Sequence, residues 1–265
     1  MKRLILCADD FALHEAASRG IAQLAAAGRI SATSVMVLSP RWAQDAALLF
    51  ELRARIDVGL HLDWTSDFAR QAGHGLALGA AMLKAVLGGF DQATARAVIE
   101  RQLDAFEAQW QAPPDHVDGH QHVQQFAGIR DALVETLGRR YRGHQPYLRI
   151  SRVPSGQADV KSRVMAAMGA NALEKMAGDA GIPRAGALSG VYDFSGDGAR
   201  YARLMAGWLQ MAPEGAIIMC HPALAAQPGD SIGVARAREF AYLSGDEFPA
   251  ALTRCKAELA RGGDS

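Results

Sequence analysis

Six short apolar runs, each followed by a longer stretch of helical spacing, constrain this chain more than any other feature. The runs are Leu4 to Ala8, Ser31 to Leu38, Val58 to Leu62, His116 to Asp118, Tyr147 to Ser151 and Ala216 to Cys220. Short runs of this kind are what parallel strands buried on both faces look like. Between them lie Leu13 to Ala27 closed by Gly28, Arg41 to Arg53, Thr94 to Gln111 ahead of Pro113-Pro114, Ile129 to Arg140, Val160 to Ala180, and Ala199 to Met211 ahead of Pro213. These carry apolar residues at helical spacing, several ending on helix-stop signals. Strands covered by helices on both faces imply an α/β fold, either a doubly wound sheet or a barrel, and six or seven βα units favour the barrel. With 265 residues, 49% of them hydrophobic, and no repeat or linker, a single domain is the simplest organisation. The stretch of about 65–92, punctuated by Gly73, Gly75, Gly88 and Gly89, reads as a loop-rich insertion in it.

Ionisable residues gather at the carboxyl ends of these strands, the edge where α/β folds assemble their sites. Asp9-Asp10 follow the first run, His61 lies at the end of the third, His116-Val117-Asp118-Gly119-His120-Gln121-His122 forms the fourth, and His221 follows the last. In an extended strand the period of two would send His116, Asp118, His120 and His122 to one face. Each group has a structural explanation when taken alone: a helix cap for Asp9 or Asp10, a core histidine for His61, a strand end for His221. Four such coincidences on one rim are harder to accept than a site. One carboxylate and two imidazoles commonly hold a catalytic divalent metal while leaving room for water and substrate. Of two adjacent carboxylates only one easily binds the ion, which frees the other to take a proton from bound water. That is a hydrolase layout. The same ligand set serves non-haem iron oxygenases, but the βα alternation disagrees with their β-sandwich.

Charge and composition narrow the partners. Lys+Arg 28 against Asp+Glu 28 leaves no net charge, which argues against nucleic acid or an anionic membrane and for a small, weakly charged substrate. No apolar stretch approaches the roughly 20 residues that span a bilayer, and Met1-Lys2-Arg3 runs straight into a strand without a signal-peptide core, so a cytoplasmic location is expected. Cys7, Cys220 and Cys255 lack paired spacing and read as reduced thiols. A homodimer is the default expectation for assembly.

A wider set of motifs resembles one family. Ala8-Asp9-Asp10-Phe11, Ser31-Ala32-Thr33-Ser34, Gly59-Leu60-His61-Leu62, the histidine run, Leu148-Arg149, Met219-Cys220-His221-Pro222 and Arg238-Glu239 with Leu243 occur in the order found in the YdjC-like carbohydrate deacetylases, the ChbG/HpnK family. The resemblance spans nearly the whole chain, and its combination of motifs is far more specific than any one of them. It implies an irregular (β/α) barrel, similar to a TIM barrel, and a metal-dependent hydrolase that removes the N-acetyl group from a sugar or glycolipid and releases acetate. It also implies Asp10, His61 and His120 as ligands of one divalent ion, described as magnesium or zinc, with Asp9 as general base. Two imidazoles suit zinc better than magnesium. His221 is then the candidate general acid, His122 and Arg149 would line the substrate pocket, and Asp118 would orient a ligand from behind it, while Trp64, in the loop after His61, is read as a substrate-binding residue that stacks on a sugar ring. Two positions depart from the family pattern: Ala12 stands where glycine is usual, and Gln124 where the family adds a histidine. They prompt a second reading, a member that binds glycan or metal without turnover.

Overall fold

The computed structural model describes residues 1–143, 145–154 and 160–262. Its strands are β1 (Lys2–Phe11), β2 (Ala32–Val35), β3 (Asp57–Leu62), β4 (His116–Gly119), β5 (Tyr147–Leu148), β6 (Leu188–Ser189), β7 (Ile217–Cys220) and β8 (Ala257–Leu259). All pairings are parallel, in the order β5-β4-β3-β2-β1-β7-β6, with β8 added beside the start of β1. The sheet curls into an irregular (β/α) barrel. At its seam β5 and β6 form no ladder; an isolated Leu148–Arg184 bridge and the Leu188 N–H to Arg152 carbonyl bond (2.9 Å) link the two sides.

The helices are α1 (Glu15–Ala26), α2 (Trp42–Asp45), α3 (Asp67–Gln71), α4 (Leu78–Val86), α5 (Gln92–Trp110), α6 (Ile129–Arg140), α7 (Val160–Ala167), α8 (Ala170–Asp179), α9 (Gly198–Met211), α10 (Gly233–Ser244) and α11 (Glu247–Arg254). None of the described helices is long and apolar enough to cross a membrane. All six expected strands form, although β2 and β5 are shorter than their apolar runs, and β6 and β8 are additional. The stretch of about 65–92 holds α3 and α4 joined by turns. The expected helix from Val160 to Ala180 is instead two: Gly169 breaks it at φ 130°, where a side chain would lie 2.2 Å from the Gln125 carbonyl oxygen. Arg41 to Arg53 splits similarly, α2 passing into a 3-10 segment from Ala46 to Leu52.

Alternation along the strands builds two cores. Leu4, Leu6 and Ala8 pack outward against the helices, whereas Ile5 and Cys7 join Ala32, Tyr147, Ile217 and Met219 inside the barrel. Further along the same inward rows stand Asp9, His61, Asp118 and His221, so the barrel changes from apolar filling to polar groups toward its carboxyl rim. His116 belongs to the filling: its ring stacks on Tyr147 with centroids 5.1 Å apart and is 0% exposed. The ring lies directly over Gly59, where a Cβ would come within 2.4 Å of it. Gly59 therefore sets how closely β3 and β4 bring His61 and Asp118 together. Replacing it, Gly59→Ala, is expected to destabilise the protein by about 1–3 kcal/mol through overpacking. In a His116→Ala background most of that loss should disappear; urea unfolding of the two single variants and the double variant measures it, and an unchanged cost would rule out this contact as the cause.

Candidate metal centre and catalytic site

A break in β1 lets two adjacent carboxylates face the same way. The pairing of β1 with β2 shifts register between Ala8 and Phe11, and Asp10 has φ 67°. Without this bulge the period of two would turn Asp10 outward to the helices. Ala12 also has a left-handed backbone, φ 71°, so the turn survives without the family's usual glycine. The left-handed conformation costs an alanine about 1 kcal/mol, which burial of its methyl, about 0.8 kcal/mol, largely offsets. The Ala12 N–H is held by Ser18 Oγ at 3.1 Å.

Asp10 Oδ1 is approached by two imidazole nitrogens, His61 Nε2 at 3.3 Å and His120 Nδ1 at 3.1 Å. Its other oxygen accepts a hydrogen bond from Arg236 Nη2 at 2.7 Å. Asp118 Oδ1 lies 2.6 Å from His61 Nδ1 and Ser34 Oγ 3.0 Å from it, which turns Nε2 toward Asp10. Asp9 is gripped by both arms of Arg149, at 2.8 Å each, and Arg149 Nη2 also lies 3.0 Å from Asp118 Oδ2. His221 Nε2 stands 3.9 Å from Asp9 Oδ2. Asp9, Asp10, His61, His120, His122 and His221 all line a cavity of about 870 Å³ at the carboxyl rim. Leu78, Met82, Phe126, Met165 and Met168 contribute apolar lining to the same cavity.

Burial alone would neutralise these groups; their partners decide otherwise. Burial raises Asp10, but Arg236 and His120 outweigh it and hold the carboxyl well below the usual range. Burial likewise opposes ionisation of Asp9 and Asp118, and Arg149 overcomes it in both. For His61 burial disfavours the cation, yet Asp118 and Asp10 push it up to about 10. Burial pulls His221 down to about 4 and His122 to about 3.

The donor set suits a metal ion. Asp10, His61 and His120 offer three ligand atoms within 4.8 Å of one another, on a group that opens to the cavity. Three buried carboxylates, Asp9, Asp10 and Asp118, face two buried guanidiniums, Arg149 and Arg236, and Arg236 is shared with Asp230 at 2.7 Å, so net negative charge is left for a proton on His61 or for a cation. Two further groups have the right spacing, Cys7 with His116 and Asp118, and Asp9 with His61 and Asp118. Both are poorer sites. Burial holds the Cys7 thiol well above its ordinary value, unlike a ligating thiolate, and Arg149 already occupies Asp9 and Asp118.

Several expectations are corrected. The strand ends at Gly119, and residues 120–125 form a tight turn with Gln121 at φ 54° and His122 at φ 62°. His122 therefore reaches the cavity by that turn rather than by strand alternation, with Ser151 Oγ 3.0 Å from its Nδ1. Arg149, expected in the pocket wall, is 1% exposed beneath Asp9. Trp64, expected to stack on a sugar, is 2% exposed and packs edge-on against His74 and Phe90. Asp118 stands where it can orient a ligand, holding His61 from behind without lining the cavity itself. Gln124 lies in the core, donating to the Arg149 carbonyl and to Ser151 Oγ. Ser34 and Arg236 join the site without a residue pattern that announces these contacts; the local signals are the Ser31-Ala32-Thr33-Ser34 motif and the Arg238-Glu239 pair, beside Arg236 on the same helix.

The sequence from residue 3 to residue 254 matches the model of the YdjC-like protein family. The chain belongs to that family. It is 31% identical over 149 residues to a carbohydrate deacetylase of Mus musculus and 29% identical over 147 residues to one of Homo sapiens, covering 51% of this chain in both. The matches span 47% and 45% of those relatives, so this YdjC-like chain spans about half the length of each. Its fold is shared by a proposed cellobiose-phosphate cleavage protein of Enterococcus faecalis V583, at TM-score 0.75, 18% identity and coverage of 99% and 98% of the two chains. The Xyl-CE4 domain of a multidomain xylanase from the hindgut metagenome of Trinervitermes trinervoides is more distant, at TM-score 0.54, 8% identity and coverage of 99% and 88%.

The charge balance predicts a linked proton. At pH 8 the chelated protein carries a proton on His61, and a cation entering the site must displace it. Zinc binding should release about one proton per ion, and affinity should rise with pH up to about 10. Calorimetry in buffers of different ionisation enthalpy reads this release; no buffer dependence would show that His61 is already neutral.

Proposed function

We propose that this YdjC-like protein is a metal-dependent deacetylase that hydrolyses the N-acetyl group of a sugar or glycolipid and releases acetate. One observation carries the reading. Two imidazoles converge on a single oxygen of Asp10 while the neighbouring Asp9 stays ionised beside them in the same cavity. Asp10, His61 and His120 would hold one divalent ion, for which two imidazoles favour zinc over magnesium. When bound, such an ion supplies Lewis acidity that polarises the acetyl carbonyl and makes water more acidic.

The chain's own residues manage the protons. Arg149 takes one lone pair from each Asp9 oxygen and leaves others to accept a proton from the attacking water. The leaving nitrogen must gain a proton before it departs. His221, held near 4 by burial, enters neutral, so to act as general acid it first receives the proton from Asp9. Direct transfer requires their 3.9 Å separation to shorten to hydrogen-bond distance in the substrate complex. The water's proton thus passes through Asp9 and His221 to the amine, and no net charge accumulates in the site. Ser151 Oγ accepts from Gln124 and is left to donate to His122 Nδ1, which places the His122 proton on Nε2 as a donor to a sugar oxygen. The apolar side chains of Leu78, Met82, Phe126, Met165 and Met168 in the cavity lining favour an apolar aglycone on that sugar.

Asp9→Asn should retain metal and lower kcat by about 10²–10⁴. His61→Ala and His120→Ala should lose metal together with activity. Metal analysis and acetate release on N-acetylated sugars and glycolipids, with metal added back to chelated protein, test this. An Asp9→Asn variant with undiminished turnover rejects the base assignment.

A further inference from the structure

The proposed reaction leaves one sequence motif unused, Arg238-Glu239 on α10. Glu239 is 0% exposed, and both its oxygens are engaged. Oε2 accepts the backbone N–H of His221 at 2.6 Å, and Oε1 accepts the Tyr192 hydroxyl at 2.6 Å. Arg238 donates through Nη2 to the Phe194 carbonyl at 2.9 Å and through Nη1 to the Gly196 carbonyl. Phe194 in turn sets its ring edge-on against the His221 imidazole, centroids 5.3 Å apart. One turn of α10 therefore grips His221 from two directions, by its main chain and through the loop that carries Phe194.

The grip matters because the imidazole has no other tether. A catalytic histidine is usually aimed by a carboxylate or carbonyl on its second nitrogen. His221 Nδ1 is buried and has no hydrogen-bond partner among the described residues, and Nε2 is 3.9 Å from Asp9. Its aim must come from the backbone anchor and from ring packing.

We propose that Glu239 and Arg238 are positioning residues for proton delivery by His221: Glu239 anchors its main chain, and Arg238 holds the Phe194 loop against its ring. The proposal rests on the reading of His221 as proton donor to the leaving nitrogen. Misplacement of a reacting group by about 1 Å can cost about 10²-fold in rate, so loosening the grip should act on kcat.

The experiment is a double-mutant cycle on the metal-loaded enzyme, following acetate release, with metal content and thermal midpoint measured on every variant. Glu239→Ala should lower kcat by about 10²-fold with KM and metal content unchanged. Glu239→Gln keeps an oxygen for the His221 N–H and should retain most of the activity, which guards against a folding failure of the alanine variant. Arg238→Ala, on a half-buried side chain, tests the Phe194 arm separately and should also lower kcat. In a His221→Ala background neither substitution should slow the enzyme further. Equal losses with and without His221, or losses in KM alone, overturn the positioning role while leaving His221 as the donor. A His221→Ala enzyme at wild-type kcat overturns the donor reading, and the positioning role falls with it.

Discussion

Arg149 organises the rim of this barrel from a place no solvent reaches. Its guanidinium bridges Asp9 and Asp118, and through Asp118 it reaches His61, and through His61 Asp10. Withdrawing such charges from water costs several kcal/mol per ion, which is why a buried ion pair is weak evidence for stability. Its effect here lies in charge state. With Arg149 in place both carboxylates stay ionised despite burial, and Asp118 can then fix which nitrogen of His61 faces the cavity. Take the cation away and three carboxylates crowd one another with only Arg236 to compensate, so protons would fill the positions on which metal binding and proton transfer depend.

The second constraint is geometric. A regular strand shows alternate side chains to opposite sides, and two neighbouring carboxylates cannot both face a barrel interior. The bulge at the end of β1, with Asp10 in the left-handed region, breaks that rule at one place and keeps it everywhere else. Below the bulge Leu4 to Ala8 still alternate between helix-facing and barrel-facing cores. Bulges of this kind re-aim a side chain beside a site at little cost to the ladder.

What could be read from the sequence follows from the range of the forces involved. Apolar runs and the polar groups ending them are local signals, so the strands that carry Asp9, Asp10 and His61 or lead into His120 and His221 were legible, as was the meeting of these residues on one rim. The burial of Arg149 was not, because it depends on carboxylates 140 and 31 residues away in the chain. An arginine at a strand end reads as a pocket wall until those partners are placed. Trp64 failed similarly: loop tryptophans look exposed, and only the fold of 65–92 supplied His74 and Phe90 to cover it. The turn after Gly119 needed left-handed conformations at Gln121 and His122, which no glycine announced. Strands of two or three residues, β6 and β8, carry too few side chains to show a period.

The same two arginines account for the proposed division of labour between neighbouring aspartates, which residue type alone leaves ambiguous. Arg149 meets Asp9 with both arms, one to each oxygen, and two parallel charge-assisted bonds fix the carboxylate plane and occupy both of its oxygens. Arg236 meets Asp10 through one nitrogen on Oδ2 and leaves Oδ1 facing two imidazoles. A carboxylate bound at both oxygens by a cation is a poor ligand for a second cation, yet it can still accept a proton at a remaining lone pair. One bound at a single oxygen keeps the other for a metal. Exchanging the roles would require Arg149 to release an oxygen of Asp9, whereas Asp10 already keeps Oδ1 free of its arginine, so the electrostatics favour Asp10 as ligand and Asp9 as base over the reverse.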